Sequence, residues 1–456
     1  MRVKVRLQKL NTSPQRAIVS AFAAVIIFGA LLLSLPCANA DGHWRSAADA
    51  FFLATSATCV TGLDTIGIGH SLSTFGLCVI VTLVELGGIG VMTIGTVFFI
   101  AMGKRLTRVG EQALMNSLGV DAVADIGRIL RNTVIFTLSW ELIGTLIIAT
   151  KLTQSYGYAW QAAIPHGFFM SVMAFCNAGF TIDPNSMRLF AEDPFMLTSL
   201  VALMLVGGIG FIVHANILQH ILGPRKHRKR PRLSLHTSLV LKTTAIILIA
   251  GTIAFILLER SASLASLSPF DTFINALFQT VTSRTTGFSS IPTHSLRNAS
   301  IMITMLIMFI GAAPGSTGGG IKVTTAAVLF LTVRDIILKK ERVETRSRSI
   351  PARIVTEAIS ITVLSIVVVL TTLLMISITE ENSGTSLFSL FFEVISAYTT
   401  TGLSLGATPA LTDWSKLLLI ACMFVGRLGP MTLAVTLSRT HAGPAARFPE
   451  ENVIVG

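Results

Sequence analysis

Four short stretches rich in threonine and glycine interrupt an otherwise apolar chain, and their residue types suit one kind of chemistry. Glycine adopts positive φ angles, so a glycine-containing backbone can aim several carbonyl oxygens at one point and replace the hydration shell of a cation. One stretch supplies only a quarter of a ring, and the four together predict a complete cation-binding ring. The stretches read ATSATCVTGLD, VMAFCNAGFTID, TVTSRTTGFSS and ISAYTTTGLSL, with their key glycines at Gly62, Gly179, Gly287 and Gly402.

Each stretch follows an apolar segment that is too short to cross a bilayer. Segments of about 10–14 residues are typical of re-entrant pieces, whereas a span needs about 20. The short segments cover about 46–57, 164–176, 270–282 and 386–397. Full spans precede them at 17–36, 132–150, 238–258 and 354–378, and others follow at 74–102, 195–222, 299–331 and 416–438. The sequence therefore predicts an all-α integral membrane protein with eight transmembrane helices and four re-entrant half-helices around one pseudo-fourfold pore.

A second signal recurs in phase with the first. The motifs VELGGIGV, LVGGIGF, IGAAPGSTGGGIK and VGRLGPM follow the four key glycines, with their own first glycines 24 to 28 residues later. The repeats are accordingly placed at 1–103 (A), 104–223 (B), 224–333 (C) and 334–456 (D). We call the residues 58–62, 175–179, 283–287 and 398–402 ring loops A, B, C and D.

Composition and charge support a membrane protein and exclude other classes. Hydrophobic residues make up 52% of the 456 positions and charged residues 13%, against about 25% charged in a soluble domain. The five cysteines are scattered, and no zinc, redox or HExxH motif is present, so an enzyme is not expected. Most lysines and arginines lie at the termini and in the linkers between repeats, which places these cytoplasmic. The basic run GPRKHRKRPR (223–232) is interpreted as a topology determinant that faces anionic lipid, and no nucleic-acid partner is expected.

Six ionisable residues remain once the others are assigned to one side of the membrane, and charges inside a membrane are costly and are normally paired or functional. Arg284 lies three residues before Gly287, and Glu393 nine before Gly402, so this pair is expected to brace the ring from behind. Arg427 either bonds carbonyls of the third repeat's glycine-rich loop or adds a positive barrier. For Glu85 and Glu141, structural pairing and a functional role both stay open. The six are Glu85, Glu141, Arg284, Lys322, Glu393 and Arg427.

The strings TSRTTGF, AYTTTGL, APGSTGGGIK and GRLGP resemble those of the Trk/Ktr/HKT superfamily of potassium transporters, over essentially the whole chain. The first half-helix follows the first span directly, so the chain is most similar to the membrane subunit of the shorter Ktr type. The resemblance implies that the ring loops form a selectivity filter for K⁺. Loop B, with CNAG, departs most from the pattern, which puts strict discrimination in doubt. The implied ion-binding residues are Val60, Thr61, Gly62, Asn177, Ala178, Gly179, Thr285, Thr286, Gly287, Thr400, Thr401 and Gly402.

The segment GAAPGSTGGG (311–320) places five glycines and a proline inside a predicted span. Such residues break helices. A phosphate-binding loop is an alternative that the sequence disfavours, because Lys322 does not directly follow Gly320 and the next residue, Val323, carries no hydroxyl group. A tolerated irregularity is another alternative. The resemblance implies an intramembrane loop beneath the filter that obstructs the pore and serves as a gate. The residues assigned to this gate are Gly311, Pro314, Gly315, Ser316, Thr317, Gly318, Gly319, Gly320, Lys322 and Arg427.

The resemblance also implies an assembly. It predicts a homodimer docked on a cytoplasmic ring of nucleotide-binding regulatory subunits, in the inner membrane of a bacterium with both termini cytoplasmic. The family resemblance also implies stimulation by Na⁺ or co-transport of Na⁺, but no residues of this sequence are assigned to a Na⁺ site. An alternative interpretation is an inverted-repeat transporter for an organic solute, which predicts broken helices at two matching positions. A membrane scaffold would leave the repeated glycines without a role.

Overall fold

The computed structural model describes residues 14–89, 126–222, 233–340, 342–345 and 348–437. Within these ranges the chain is mostly helical, and its single sheet is an antiparallel pair of two-residue strands, Glu344–Thr345 and Arg348–Ser349. The end of the predicted second span of repeat A, the basic run 223–232 and the C-terminal tail from 438 lie outside the described residues.

The first described helix of each repeat is long and apolar. Three of these helices are long and apolar enough to cross a membrane, and the helix of repeat A is shorter in apolar length. They expose large apolar side chains such as Ile246, Leu257 and Leu370, as expected of a surface that faces lipid. The first helices are Pro14–Ser34, Ile126–Tyr156, Leu235–Glu259 and Ala352–Thr379.

The half-helices occupy the inside of the molecule. In repeats A, C and D a serine precedes the helix and accepts a hydrogen bond from the backbone N–H three residues later, the usual N-cap. A phenylalanine nine or ten residues before each key glycine is buried in the centre of the fold: Phe52, Phe169, Phe278 and Phe392. The half-helices are Ala47–Thr58, Trp160–Cys176, Pro269–Thr282 and Leu387–Thr399.

The second helices of repeats B and D differ from the uninterrupted spans expected from the sequence, whereas the break in repeat C coincides with the loop expected at 311–320. In repeats B, C and D they break at the glycine motifs, and the described part in repeat A ends at its motif. The pieces are Thr74–Ile89 in A, Pro194–Ile209 and Phe211–Leu222 in B, Asn298–Phe309 and Val323–Ile337 in C, and Asp413–Leu428 and Pro430–Leu437 in D. Shorter helical elements are Ile68–Ser71 and the 3₁₀ turns Pro36–Ala38, Arg188–Phe190, Thr293–Ser295 and Thr408–Ala410.

Backbone conformation explains these breaks. Gly210 has φ +96° and Gly429 has φ +85°, far from the helical value near −63°. The two pieces of repeat B meet at 96°. In repeat C the break widens to a loop whose ends pair through Ile310 and Ile321. Helices thus break at three described positions, which does not match the two positions expected of an inverted-repeat transporter.

A carboxylate joins the first and second helices in the last two repeats. Glu259 accepts a hydrogen bond from the backbone N–H of Arg297 at 2.9 Å, where the second helix of repeat C begins. Glu380 accepts one from the N–H of Thr412 at 2.8 Å, at the same place in repeat D. These bonds satisfy donors that a helix N-terminus leaves free, and they fix the outer frame around each half-helix.

Candidate functional site

The four key glycines lie side by side in a closed ring. A Cβ atom built on any one of them would overlap a carbonyl oxygen of the next ring loop, because the backbones are in direct contact. The order is A, B, C, D and back to A. The overlapping pairs are Gly62 with Ala178, Gly179 with Thr286, Gly287 with Thr401, and Gly402 with Thr61.

The residue two positions before each glycine repeats an uncommon conformation. Val60, Asn177, Thr285 and Thr400 have φ of 57°, 58°, 129° and 51°. Positive φ in a β-branched residue is an outlier that costs on the order of 1–3 kcal/mol and persists only where surrounding structure imposes it. The glycines that follow also have positive φ, between 68° and 91°. The ring loops therefore share positive φ at two equivalent positions despite their different sequences, although φ of Thr285 is about 70° larger than in the other three loops.

Side chains from the last turns of the half-helices hold the ring loops in place. Ser56 accepts a hydrogen bond from the N–H of Gly62 at 3.1 Å and donates one to the carbonyl of Leu63 at 2.8 Å. Ser396 accepts from the N–H of Gly402 at 3.0 Å. Sequence reasoning did not identify these serines, although both stand six residues before their glycine, and this spacing is a signal that could have revealed them.

Each half-helix ends three to five residues before the key glycine of its repeat. Their last residues are Thr58, Cys176, Thr282 and Thr399. A helix C-terminus carries a partial negative charge of about half an elementary charge. Four such ends beside one ring of backbone carbonyls create a site that favours a cation.

The recurring glycine motifs have a packing role. A Cβ on Gly87, Gly207 or Gly426 would overlap the carbonyl oxygen of Thr58, Phe175 or Tyr398, respectively, at the end of the half-helix of the same repeat. The second helix therefore approaches the half-helix backbone more closely than any side chain would allow. This close approach explains why the motif follows each key glycine at a nearly constant spacing along the sequence.

The intramembrane loop, residues 311–320, lies directly against three of the four ring loops. Thr317 Oγ1 accepts a hydrogen bond from Asn177 Nδ2 at 2.7 Å. A Cβ on Gly318 would overlap Thr285 Oγ1, and one on Gly319 would overlap Thr400 Oγ1. Three consecutive loop residues thus contact the positive-φ residues of loops B, C and D.

The other side of the intramembrane loop packs on the broken helix of repeat B. The N–H of Ala313 donates to the carbonyl of Gly208 at 3.2 Å, and the carbonyl of Gly315 accepts from the N–H of Phe211 at 3.0 Å. At the base of the loop, the N–H of Gly311 donates to the carbonyl of Ile321 at 2.8 Å. Pro314, Gly315 and Ser316 are partly or fully exposed, so they form the outer edge of the loop.

Two basic residues hold the loop by its carbonyls. Lys322 Nζ donates to the carbonyl of Gly318 at 2.7 Å. The Arg427 guanidinium donates to the carbonyls of Thr317 and Gly87. Of the two roles expected for Arg427, bonding of the loop carbonyls is present in the structure. Arg427 thereby links repeat D to the loop of repeat C and to the glycine motif of repeat A.

Arg284 and Glu393, the pair expected to brace the ring from behind, do not meet: within the described residues their side chains make no salt bridge. Both carboxylate oxygens of Glu393 are already bonded within its own repeat, to the hydroxyls of Ser404 and Thr408, both at 2.6 Å, and to the N–H of Leu405 at 3.0 Å. Glu393 therefore supports the segment that follows ring loop D.

Arg284 lies elsewhere, behind ring loops B and C. Its side chain lines a cavity of about 10 Å³ together with Asn177, Gly208 and Ala312. Its Nε and one terminal nitrogen have no hydrogen-bond partner among the described residues. The cavity is about the size that one water centre needs.

Glu85 and Glu141 meet each other rather than basic residues. Their carboxylate oxygens and the thiol of Cys176 lie within 4.8 Å of one another. The Cys176 thiol donates to Glu141 at 3.7 Å, and Cys176 is the last residue of the half-helix that leads to ring loop B. The acidic pair therefore connects the second helix of repeat A and the first helix of repeat B to the back of loop B.

Known proteins similar to this chain are cation transporters. The TrkH family, described as cation transport proteins, matches residues 4–446. The chain is 32% identical to the potassium/sodium uptake protein NtpJ of Enterococcus hirae, with 100% of this chain and 99% of that protein covered. It is 33% identical to the Ktr system potassium uptake protein B of Vibrio alginolyticus, with coverage of 98% and 96%.

A solved structure shares the fold. The potassium transporter TrkH from Vibrio parahaemolyticus matches with a TM-score of 0.70 at 23% sequence identity, covering 96% of this chain and 87% of that one. The family expected from the threonine-glycine strings is confirmed by the full-length matches. The chain belongs to the TrkH family of cation transport proteins.

Proposed function

We propose that this protein takes up potassium ions across the cytoplasmic membrane of a bacterium through the ring of loops A to D. The closed contact between the four key glycines is the observation that carries the proposal. Relatives at 32–33% identity are a potassium/sodium uptake protein and a Ktr system potassium uptake protein, which supports K⁺ as the transported ion. Eight membrane crossings with four half-helices between them are the topology that fits the repeats.

The ring would select K⁺ by replacing the water molecules that hydrate the ion. A cation that enters loses its hydration shell, and backbone carbonyls of four loops take the place of the lost water oxygens. The positive-φ residues and the glycines hold these carbonyls in position before the ion arrives, so little reorganisation is needed on binding. The negative ends of four half-helices add a favourable field.

The intramembrane loop is the proposed gate. Its contact with three ring loops supports a position at one mouth of the ring, where it would obstruct passage. Lys322 and Arg427 hold its carbonyls and put two positive side chains beside the path, which disfavours cation passage while the loop is in place. Movement of the loop away from Arg427 opens the path.

Regulation and assembly follow the family relationship. We propose that the chain forms a homodimer and docks on a cytoplasmic ring of nucleotide-binding subunits, as the Ktr system name of its relatives suggests. Both termini and the basic linker 223–232 would face the cytoplasm, where the linker meets anionic lipid. Stimulation by Na⁺ fits a relative named for potassium and sodium uptake.

Uptake of radiolabelled Rb⁺ tests the proposal in cells that lack their own potassium uptake systems. Cells that produce the full chain should accumulate Rb⁺ and grow at low external K⁺. Excess K⁺ should suppress the Rb⁺ signal far more strongly than excess Na⁺. Accumulation no higher than in cells without the chain, at equal membrane insertion, would reject the function.

A further inference from the structure

We infer that the side-chain amide of Asn177 couples the intramembrane loop to the ring, so that one residue influences both gate opening and ion preference. The inference rests on the proposed function and deepens it by assigning a positioning residue. Ring loop B reads CNAG where loops C and D read TTG. The departure, which on sequence grounds put discrimination in doubt, supplies the amide group that the coupling requires.

The amide bonds both parts at once. Asn177 Oδ1 accepts a hydrogen bond from Thr286 Oγ1 of ring loop C at 2.6 Å. Asn177 Nδ2 donates to Thr317 Oγ1 of the intramembrane loop at 2.7 Å, and to the carbonyls of Phe175 and Met204 at 3.2 and 3.3 Å. The carbonyl of Thr317 in turn accepts from Arg427. A chain of bonds therefore runs from the ring through Asn177 to the basic anchor of the loop.

Burial makes these bonds expensive to lose. Asn177, Thr286 and Thr317 are 3%, 0% and 1% exposed, so bulk water cannot readily replace a lost partner. An unsatisfied buried donor or acceptor costs more than the bond itself contributes. When the loop moves away, the amide loses one partner and shifts, and the Thr286 hydroxyl bonded to its other end shifts with it.

The backbone position suits asparagine. Asn177 has φ +58°, and asparagine occupies the left-handed region more readily than β-branched residues. The hydroxyls at two other places in the ring are not engaged in the same way: Thr61 Oγ1 and Thr400 Oγ1 have no hydrogen-bond partner among the described residues. The link between ring and loop through a side-chain amide is therefore a property of repeat B.

Two variants remove hydroxyl hydrogen bonds while keeping side-chain shape. Thr317 Oγ1 also donates to the carbonyl of Phe175 at 3.4 Å, so Thr317→Val removes this bond together with the one from Asn177. Thr317→Val deletes the loop side of the coupling, and Thr286→Val deletes the ring side. We expect each variant to change two properties: the maximal rate of Rb⁺ uptake rises, and Na⁺ competes more strongly against Rb⁺, each by roughly two- to tenfold, the range that one neutral hydrogen bond sets. The double variant should show less than the product of the two single effects, because both act through Asn177.

Matched controls separate coupling from general damage. Thr317→Ser keeps the hydroxyl and should lie closer to the wild type than Thr317→Val in both properties, and it reports on the loop if Thr317→Val fails to insert. Thr61→Val occupies the position in loop A that Thr286 holds in loop C, without a bond to lose, and its effects should multiply with those of Thr317→Val.

The inference is overturned if Thr317→Val raises uptake and leaves ion preference unchanged, or if the effects of Thr286→Val and Thr317→Val multiply as independent changes. Failure of the proposed function looks different, because the wild-type chain itself would then show no Rb⁺ uptake.

Discussion

Arg427, near the end of a helix in the last repeat, donates a hydrogen bond to the backbone carbonyl of Thr317 in the intramembrane loop. The same guanidinium donates to the carbonyl of Gly87 in the first repeat. Arg427 is 9% exposed, and within the described residues no carboxylate forms a salt bridge with it. Its charge is therefore stabilised by carbonyls, and the loop is one of the groups that stabilise it.

Replacing Arg427 by glutamine should release the loop. The variant removes both charge-assisted bonds and a positive charge beside the path, so maximal Rb⁺ uptake should rise by roughly an order of magnitude, since a hydrogen bond to a charged group contributes about 1.5–3 kcal/mol. Arg427→Lys keeps the charge but not the paired donors of the guanidinium, so its maximal Rb⁺ uptake should lie between those of the wild type and Arg427→Gln. Uptake that falls in Arg427→Gln, at equal protein in the membrane, would show that Arg427 is needed for conduction.

Glu393 and Arg284 should behave as independent residues. Glu393→Gln weakens the bonds to the segment after ring loop D, and Arg284→Gln changes the cavity behind loops B and C. Because the two side chains do not meet, the thermal destabilisation of the double variant in detergent should equal the sum of the single effects within about 0.5 kcal/mol. A double variant that is clearly less destabilised than this sum would restore the pairing expected from the sequence.

The sequence was sufficient to place the half-helices and the key glycines, because two signals with different residue types recur in phase. It could not reveal the positive φ of Val60 or Thr400, since their residue types do not favour that conformation. The helix breaks at Gly210 and Gly429 were also missed: glycine permits a break, but contacts formed only in the folded protein decide whether one occurs. The pairing of Arg284 with Glu393 failed because spacing along the chain does not show that Ser404 and Thr408 already occupy the carboxylate.

The acidic pair gives a stability prediction. Two carboxylates as close as those of Glu85 and Glu141 repel each other when both are charged. Glu141→Gln removes a charge at nearly unchanged size, so its thermal midpoint should equal or exceed that of the wild type. Glu141→Ala, which also leaves a void, should lower the free energy of unfolding by an amount on the order of 1–3 kcal/mol and should lower the thermal midpoint with it. A glutamine variant as unstable as the alanine variant would show that the charge itself is required.

Two short deletions in the intramembrane loop should have different consequences. Deleting Gly315 and Ser316 removes the outer edge of the loop, so uptake should rise, depend less on the regulatory subunit and keep its ion preference. Deleting Gly318 and Gly319 removes the backbone that packs on Thr285 and Thr400, so uptake should rise and ion preference should weaken as well. Uptake by both variants is measured with and without the regulatory subunit. If both show lower uptake than the wild type and still depend on this subunit, the loop is not a gate.

Competition between K⁺ and Na⁺ in a ring-glycine variant tests the central claim most directly. A Cβ on Gly402 would overlap the carbonyl of Thr61, so Gly402→Ser should displace the ring and lower the preference for K⁺ by about tenfold or more. Gly406→Ser is the matched control: Gly406 also has positive φ, +95°, but no atom lies within 4 Å of its Cβ position. The account predicts weakened preference in Gly402→Ser and wild-type preference in Gly406→Ser. If both variants insert correctly and both keep the wild-type affinities for K⁺ and Na⁺, the result would contradict the account.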